Sequence, residues 1–125
     1  MNWTNWVFIG CLLGALSVIL GAFGAHGLKG RFGAYEMQIF ETAVRYQMYH
    51  ALALFGVALV ASHVENSFVK FAGWSFCIGI ILFSGSLYTL AGTGQKWLGA
   101  VAPLGGLFLI GGWLSLAWSV FSMKY

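Results

Sequence analysis

The chain has 125 residues, of which 60% are hydrophobic and only 7% charged, with a mean hydropathy of +0.85. Ordinary soluble domains carry roughly 25% charged residues, so this composition excludes them and points to a bilayer. About 20 apolar residues make one transmembrane helix, so the length holds four spans and their turns in a single domain, residues 1–125. The formal charge of +3 comes from six basic and three acidic residues scattered over several loops. That excludes a basic stripe for nucleic acid and leaves a modest attraction to anionic lipid headgroups.

Residues 3–25 read as the first span. Trp3 and Trp6 suit the headgroup level. The apolar run is too long for the core of a signal peptide, has no Lys or Arg before it and no Ala-x-Ala site after it, so a retained helix is expected. Along it Gly10, Gly14, Ser17, Gly21 and Gly24 recur at steps of four, three, four and three, which puts the small side chains on one face. Such a helix-packing face lets a neighbour approach closely, because packing contacts hold helices together in lipid. The alternative is a helix that is merely rich in glycine.

From His26 to Tyr35 the chain turns polar, with Lys29 and Arg31 set among Gly24, Gly27, Gly30 and Gly33. The glycines permit turns at the membrane surface. Lys29 and Arg31 are lipid-headgroup candidates, since exposed glycine amides beside two cations suit a phosphate. The alternative is a solvated loop.

Helical periodicity resumes near Ala34. An unbroken helix from there to Ser62 would measure about 42 Å at 1.5 Å per residue, longer than the roughly 30 Å hydrocarbon core. Residues 34–42 are therefore expected either to form an interfacial amphipathic segment or to project beyond the core, with the second span at 43–62. The stretch Phe40-Glu-Thr-Ala-Val-Arg-Tyr-Gln-Met-Tyr-His50 is the most polar part of any span, and Ala51 to Ala61 after it carries no polar side chain.

A connection at 63–68 holds Glu65 and the Asn66-Ser67 pair, either of which could cap the next helix. The third span, 69–91, ends in Ser84-Gly-Ser-Leu-Tyr-Thr89. A turn at 92–96 leads through Trp97 to the fourth span, 98–121, where Pro103 with Gly105 and Gly106 predicts a kink. Trp118 and Tyr125 anchor its far end. Lys29, Arg31 and Lys96, with Arg45, lie towards one membrane face, and Lys70 and Lys124 towards the other. Cys11 and Cys77 read as small buried apolar residues.

Four antiparallel crossings bring His26, the 41–50 cluster, Ser84, Ser86 and Tyr88 and the Pro103 kink towards one face, where a shared pocket is expected. Polar groups inside a membrane normally face the bundle and find partners there. Glu41 and Arg45 are four apart in the favoured order. Tyr46 and His50 are likewise four apart, and Tyr49 lies beside them. The leading expectation is a buried network of Glu41, Arg45, Tyr46, Tyr49 and His50 with His26, Ser84, Ser86 and Tyr88, acting as an internal lock. Two alternatives remain: Arg45 snorkels to headgroups beside a tyrosine belt, or the cluster is a transport or ligand site for protons or a small anion.

No catalytic residue is expected. A His-Glu-x-x-His helix is missing, Ser84-Gly85-Ser86 only partly echoes a Gly-x-Ser-x-Gly elbow, and His26, His50 and His63 have no metal-ligand spacing. No metal or cofactor is expected either.

The motifs Gly21-Ala-Phe-Gly-Ala-His-Gly27, Phe40 to His50, Ser84-Gly-Ser-Leu-Tyr88 and Pro103-Leu-Gly-Gly106 with Gly112-Trp113 resemble the YwdK/YgdD family, small bacterial inner-membrane proteins with animal mitochondrial relatives. The resemblance spans essentially the whole chain. It implies a four-span integral membrane protein of unassigned function (domain of unknown function 423) and supplies no site residues.

The reading is an all-α, multi-pass bundle of four transmembrane helices with an interfacial segment before the second, in the cell (plasma) membrane. Its function is non-enzymatic, alone or as a homo-oligomer among membrane lipids, with no nucleic acid and no identifiable small-molecule substrate. A small transporter or channel component and an anionic-lipid-binding accessory are the alternatives.

Overall fold

The computed structural model describes residues 2–123, so the expected roles of Lys124 and Tyr125 lie outside the described residues. Four helices are each long and apolar enough to cross a membrane: α1 (Trp3–Gly27), α2 (Ala34–Ala61), α3 (Ser67–Thr93) and α4 (Leu98–Ser122). Helices satisfy every backbone polar group within the segment, which a bilayer demands.

Local chemistry sets the ends. Asn2 Oδ1 accepts from the Thr4 N–H at 2.9 Å and so caps α1. The first turn closes when the Arg31 and Phe32 amides both donate to the Leu28 carbonyl at 3.0 Å, and Gly30 takes a φ of 91° that other residues adopt only with strain. Of the candidate caps in the second connection it is Asn66 that acts, its Oδ1 accepting from Val69 N–H at 2.9 Å. Gly94, with a φ of 72°, ends α3 by donating to the Leu90 carbonyl at 2.8 Å.

Residues 34–42 run into the second span without a break, since α2 is one helix of 28 residues, and they extend past the level where the neighbouring α1 ends its apolar run, as the projecting alternative expects. Within α3, residues Ile81–Gly85 form a π turn that the sequence did not announce. Helix α4 continues through Pro103, which lies in its second turn.

Helices α2 and α3 form the inner pair; α1 leans on α2 and α4 on α3, each outer helix leaving most of its surface to lipid. Close approach depends on glycine. A Cβ at Gly10 would lie 2.9 Å from the Ala51 carbonyl oxygen, and one at Gly24 would strike the Phe40 ring. On the other side, a Cβ at Gly112 would lie 2.6 Å from the Phe76 ring, and one at Gly105 would collide with the Phe83 amide nitrogen in the π turn. The predicted glycine face of α1 thus lies along α2, with Gly14 facing Met48, Gly21 facing Val44 and Ser17 buried between them.

The apolar core fills the half of the bundle nearest the 62–66 connection, where Trp6, Leu54, Val57, Val69, Phe76 and Leu109 pack together. Trp6 is a correction to the expected aromatic belt. It is 0% exposed and sits over Gly73, its ring edge-on to Trp74 at 5.7 Å, because a missing Cβ leaves a slot for the indole. Trp3 stays exposed.

Candidate functional site

Gln47, His50, Ser84 and Ser86 gather in the other half of the bundle around α2, whereas the buried Ser75 and Ser119 lie in the apolar half and donate to the Phe108 and Leu116 carbonyls. At 100° per residue, Phe40, Val44, Gln47, Ala51 and Leu54 reach α1, while Ala43, Gln47 and His50 face α3 and α4. Gln47 lies on both arcs, so one side chain reaches two neighbours.

Gln47 is 2% exposed and its amide is used at both ends. Its Nε2 donates to the Leu13 carbonyl of α1 at 2.9 Å, and its Oε1 accepts from the Tyr88 hydroxyl of α3 at 2.6 Å. Three helices are thereby joined near the midpoint of α2. One turn away, the Ser84 hydroxyl of the π turn donates to the Ala43 carbonyl at 2.7 Å. Ser86 donates to its own helix at Phe83, and Ser17 to Leu13.

His50 holds the second cluster. Its Nδ1 lies 2.7 Å from the Tyr46 carbonyl, and its Nε2 lies 3.0 Å from the Trp113 indole nitrogen on α4. An indole nitrogen only donates, so Nε2 accepts and the imidazole proton resides on Nδ1, donating to Tyr46. The Tyr46 ring stacks on His50 and meets Phe83 at a centroid distance of 4.5 Å, while Trp113 stands edge-on to Phe76. The rings of Tyr46, His50, Phe83 and Trp113 line a lateral groove of about 440 Å³ between α2, the π turn and α4, together with Tyr49, Gly106 and Ile110.

Glu41 and Arg45 correct the expected lock. Their side chains are 54% and 60% exposed, and they pair with each other at 3.5 Å on the outside of α2. The cause is angular: positions 41, 45, 49 and 52 fall on the arc of α2 that no other helix covers. Arg45 therefore lies about 140° round the helix from His50 and cannot bear on it. Tyr49 is exposed on the same arc, with its ring against that of Tyr46.

His26 is exposed in the last turn of α1 and takes no part, and Lys29 and Arg31 are exposed in the following turn. The expected common pocket at that face is also displaced. One cavity there, of about 470 Å³, is lined by Tyr35, Glu36, Leu90, Lys96 and Gly99 and by none of the predicted network residues, and a smaller crevice between α1 and α2 is lined by Glu41 and Arg45 alone of them. Pro103 is exposed. Cys77 is half-buried but Cys11 is exposed, and both are free.

Two members were missed. Gln47 stood in the 40–50 stretch without being singled out, although an amide at the α1-facing period of an apolar helix has to find a partner. Trp113 lies in the middle of its span, far from either headgroup level, and its N–H posed the same demand. Among the described residues no group of three or more His, Cys, Asp or Glu could hold a metal, and no buried side-chain nitrogen or oxygen lacks a partner.

The chain matches the family described as "Protein of unknown function (DUF423)" over residues 20–106. It is 45% identical over 120 residues to the UPF0382 membrane protein YwdK of Bacillus subtilis, covering 95% of this chain and 96% of that protein. The UPF0382 membrane protein SH2409 of Staphylococcus haemolyticus is 45% identical over 115 residues, covering 92% and 93%. A UPF0382 membrane protein of Haemophilus influenzae is 42% identical over 113 residues, 90% of each chain. No solved structure matches. The chain thus belongs to the DUF423 family of membrane proteins, whose names give a place in the membrane and no reaction.

Proposed function

We propose that this protein is a non-enzymatic component of the bacterial cell membrane, whose four crossings are pinned into one rigid unit by a mid-membrane polar network. The observation that carries this reading is Gln47, whose carbonyl and amide ends are both engaged, to two different helices, at 2% exposure. Its bonding capacity is directed into holding the bundle together.

The rival reading, a carrier moving protons or a small anion past Arg45 and His50, needs those two groups on one path. They lie on different sides of α2, and both nitrogens of His50 are engaged. The test is flux into proteoliposomes carrying a pH-sensitive dye or a chloride-sensitive dye. The rigid-unit reading expects traces matching empty vesicles for wild type and for His50→Ala. Proton or anion flux above that background, lost in Arg45→Ala or His50→Ala while the protein stays folded, would replace it with the carrier.

A further inference from the structure

The Glu41–Arg45 pair is the one ion pair among the described residues, and it stands where lipid meets protein. Its depth can be read from α1. Val44 lies opposite Gly21 and Phe40 opposite Gly24, so the pair is level with the last turn of the apolar run Trp3–Gly24. That is the border between hydrocarbon and headgroups. Here α1 and α2 leave a crevice of about 130 Å³, lined by Gly21, Met37, Phe40, Glu41, Val44 and Arg45.

The pair does not exhaust itself. One contact at 3.5 Å joins Nη2 to Oε2, and among the described residues no other hydrogen bond is made by Oε1 of Glu41 or the remaining guanidinium N–H groups. The two residues are also ordered along α2, whose backbone carries Arg45 one turn, about 6 Å, deeper than Glu41.

We propose that this crevice binds the headgroup of a phosphatidylethanolamine lipid, with the phosphate on Arg45, the primary ammonium on Glu41 and the glycerol end against Val44 and Gly21. In such a lipid the phosphate is the charge nearest the acyl chains and the ammonium lies beyond it, the same order as Arg45 and Glu41. A purely anionic headgroup meets the Glu41 carboxylate with like charge. A choline headgroup has no N–H to donate to that carboxylate, and the Phe40 ring is too buried to receive it by its face. A guanidinium suits a phosphate in preference to a lone point charge because its donors are forked.

The test is native mass spectrometry of the full-length protein released from nanodiscs containing equal phosphatidylethanolamine, phosphatidylcholine and phosphatidylglycerol. Wild type is expected to retain the ethanolamine lipid over the other two by roughly fivefold, the scale of about 1 kcal/mol for one exposed charge contact. Glu41→Gln should bring the ethanolamine lipid down to the choline level, and Arg45→Gln should lower both. The double exchange E41R/R45E keeps the pair and the net charge but reverses their order, and should abolish the preference. Lys29→Ala with Arg31→Ala should leave it unchanged. Both charges lie on the surface, and unchanged melting temperatures establish that the variants are folded. Equal retention of the three lipids by wild type, a preference that survives E41Q or the exchange, retention of phosphatidylglycerol instead, or a lipid-free dimer would each overturn the proposal.

Discussion

Trp113 on α4 donates its indole N–H to Nε2 of His50 on α2 at 3.0 Å, and no other hydrogen bond between side chains joins those two helices among the described residues. The bond fixes the imidazole tautomer and closes one end of the lateral groove. Replacing Trp113 with Phe keeps an aromatic ring but leaves a buried acceptor unpaired. The expected cost is about 1 kcal/mol, read as a lower melting temperature in detergent. A melting temperature equal to wild type would show that the ring alone holds α4 in place.

Gln47 offers a sharper measurement because its partner is known. Gln47→Leu strands the Tyr88 hydroxyl, and Tyr88→Phe strands the Gln47 carbonyl oxygen. The double variant strands neither, so it should melt higher than the sum of the two single losses predicts. In membranes such coupling averages about 0.6 kcal/mol and reaches about 1.7 kcal/mol. Strict additivity in the cycle would mean the two groups do not bond.

Two adjacent glycines should behave oppositely. A Cβ at Gly105 would run into the backbone of the π turn, whereas one at Gly106 would lie 4.0 Å from the Phe83 ring, an ordinary contact. Gly105→Ala is expected to destabilise by about 1–3 kcal/mol, the usual cost of overpacking, with Gly106→Ala close to neutral. Thermal melting of the two variants side by side settles it, and equal losses would contradict the close approach of α4 to α3.

Arg45→Ala should change melting little, by less than about 0.5 kcal/mol, because the pair it breaks is exposed. A large loss of stability or yield would mean that Arg45 is sheltered by something other than the protein's own helices.

Four crossings were legible in the sequence because hydropathy and length answer directly to the bilayer, and the glycine face of α1 was legible because its period matches a helix. The site was legible only in part. The density of polar residues between Glu41 and His50 correctly drew attention to α2, but density does not say which arc is covered. Glu41 and Arg45 are the more polar and prove exposed, while the less conspicuous Gln47 carries the buried contacts. The π turn was hidden for a different reason: Ile81–Gly85 has ordinary helical composition, and its widened turn shows itself only where Gly105 presses against it and Ser84 reaches Ala43.

Because α1 packs chiefly on α2, and α4 on α3, the molecule is two helical hairpins, each closed between neighbours along the chain. During synthesis the first hairpin can assemble before the second exists, and it then holds Gln47 Oε1 and His50 Nε2 with nothing to satisfy them. Tyr88 and Trp113 arrive last and complete both. The unmet acceptors of the early half are thus a recognition code for the late half, so that co-expressed fragments split within residues 62–66 should find one another in the membrane.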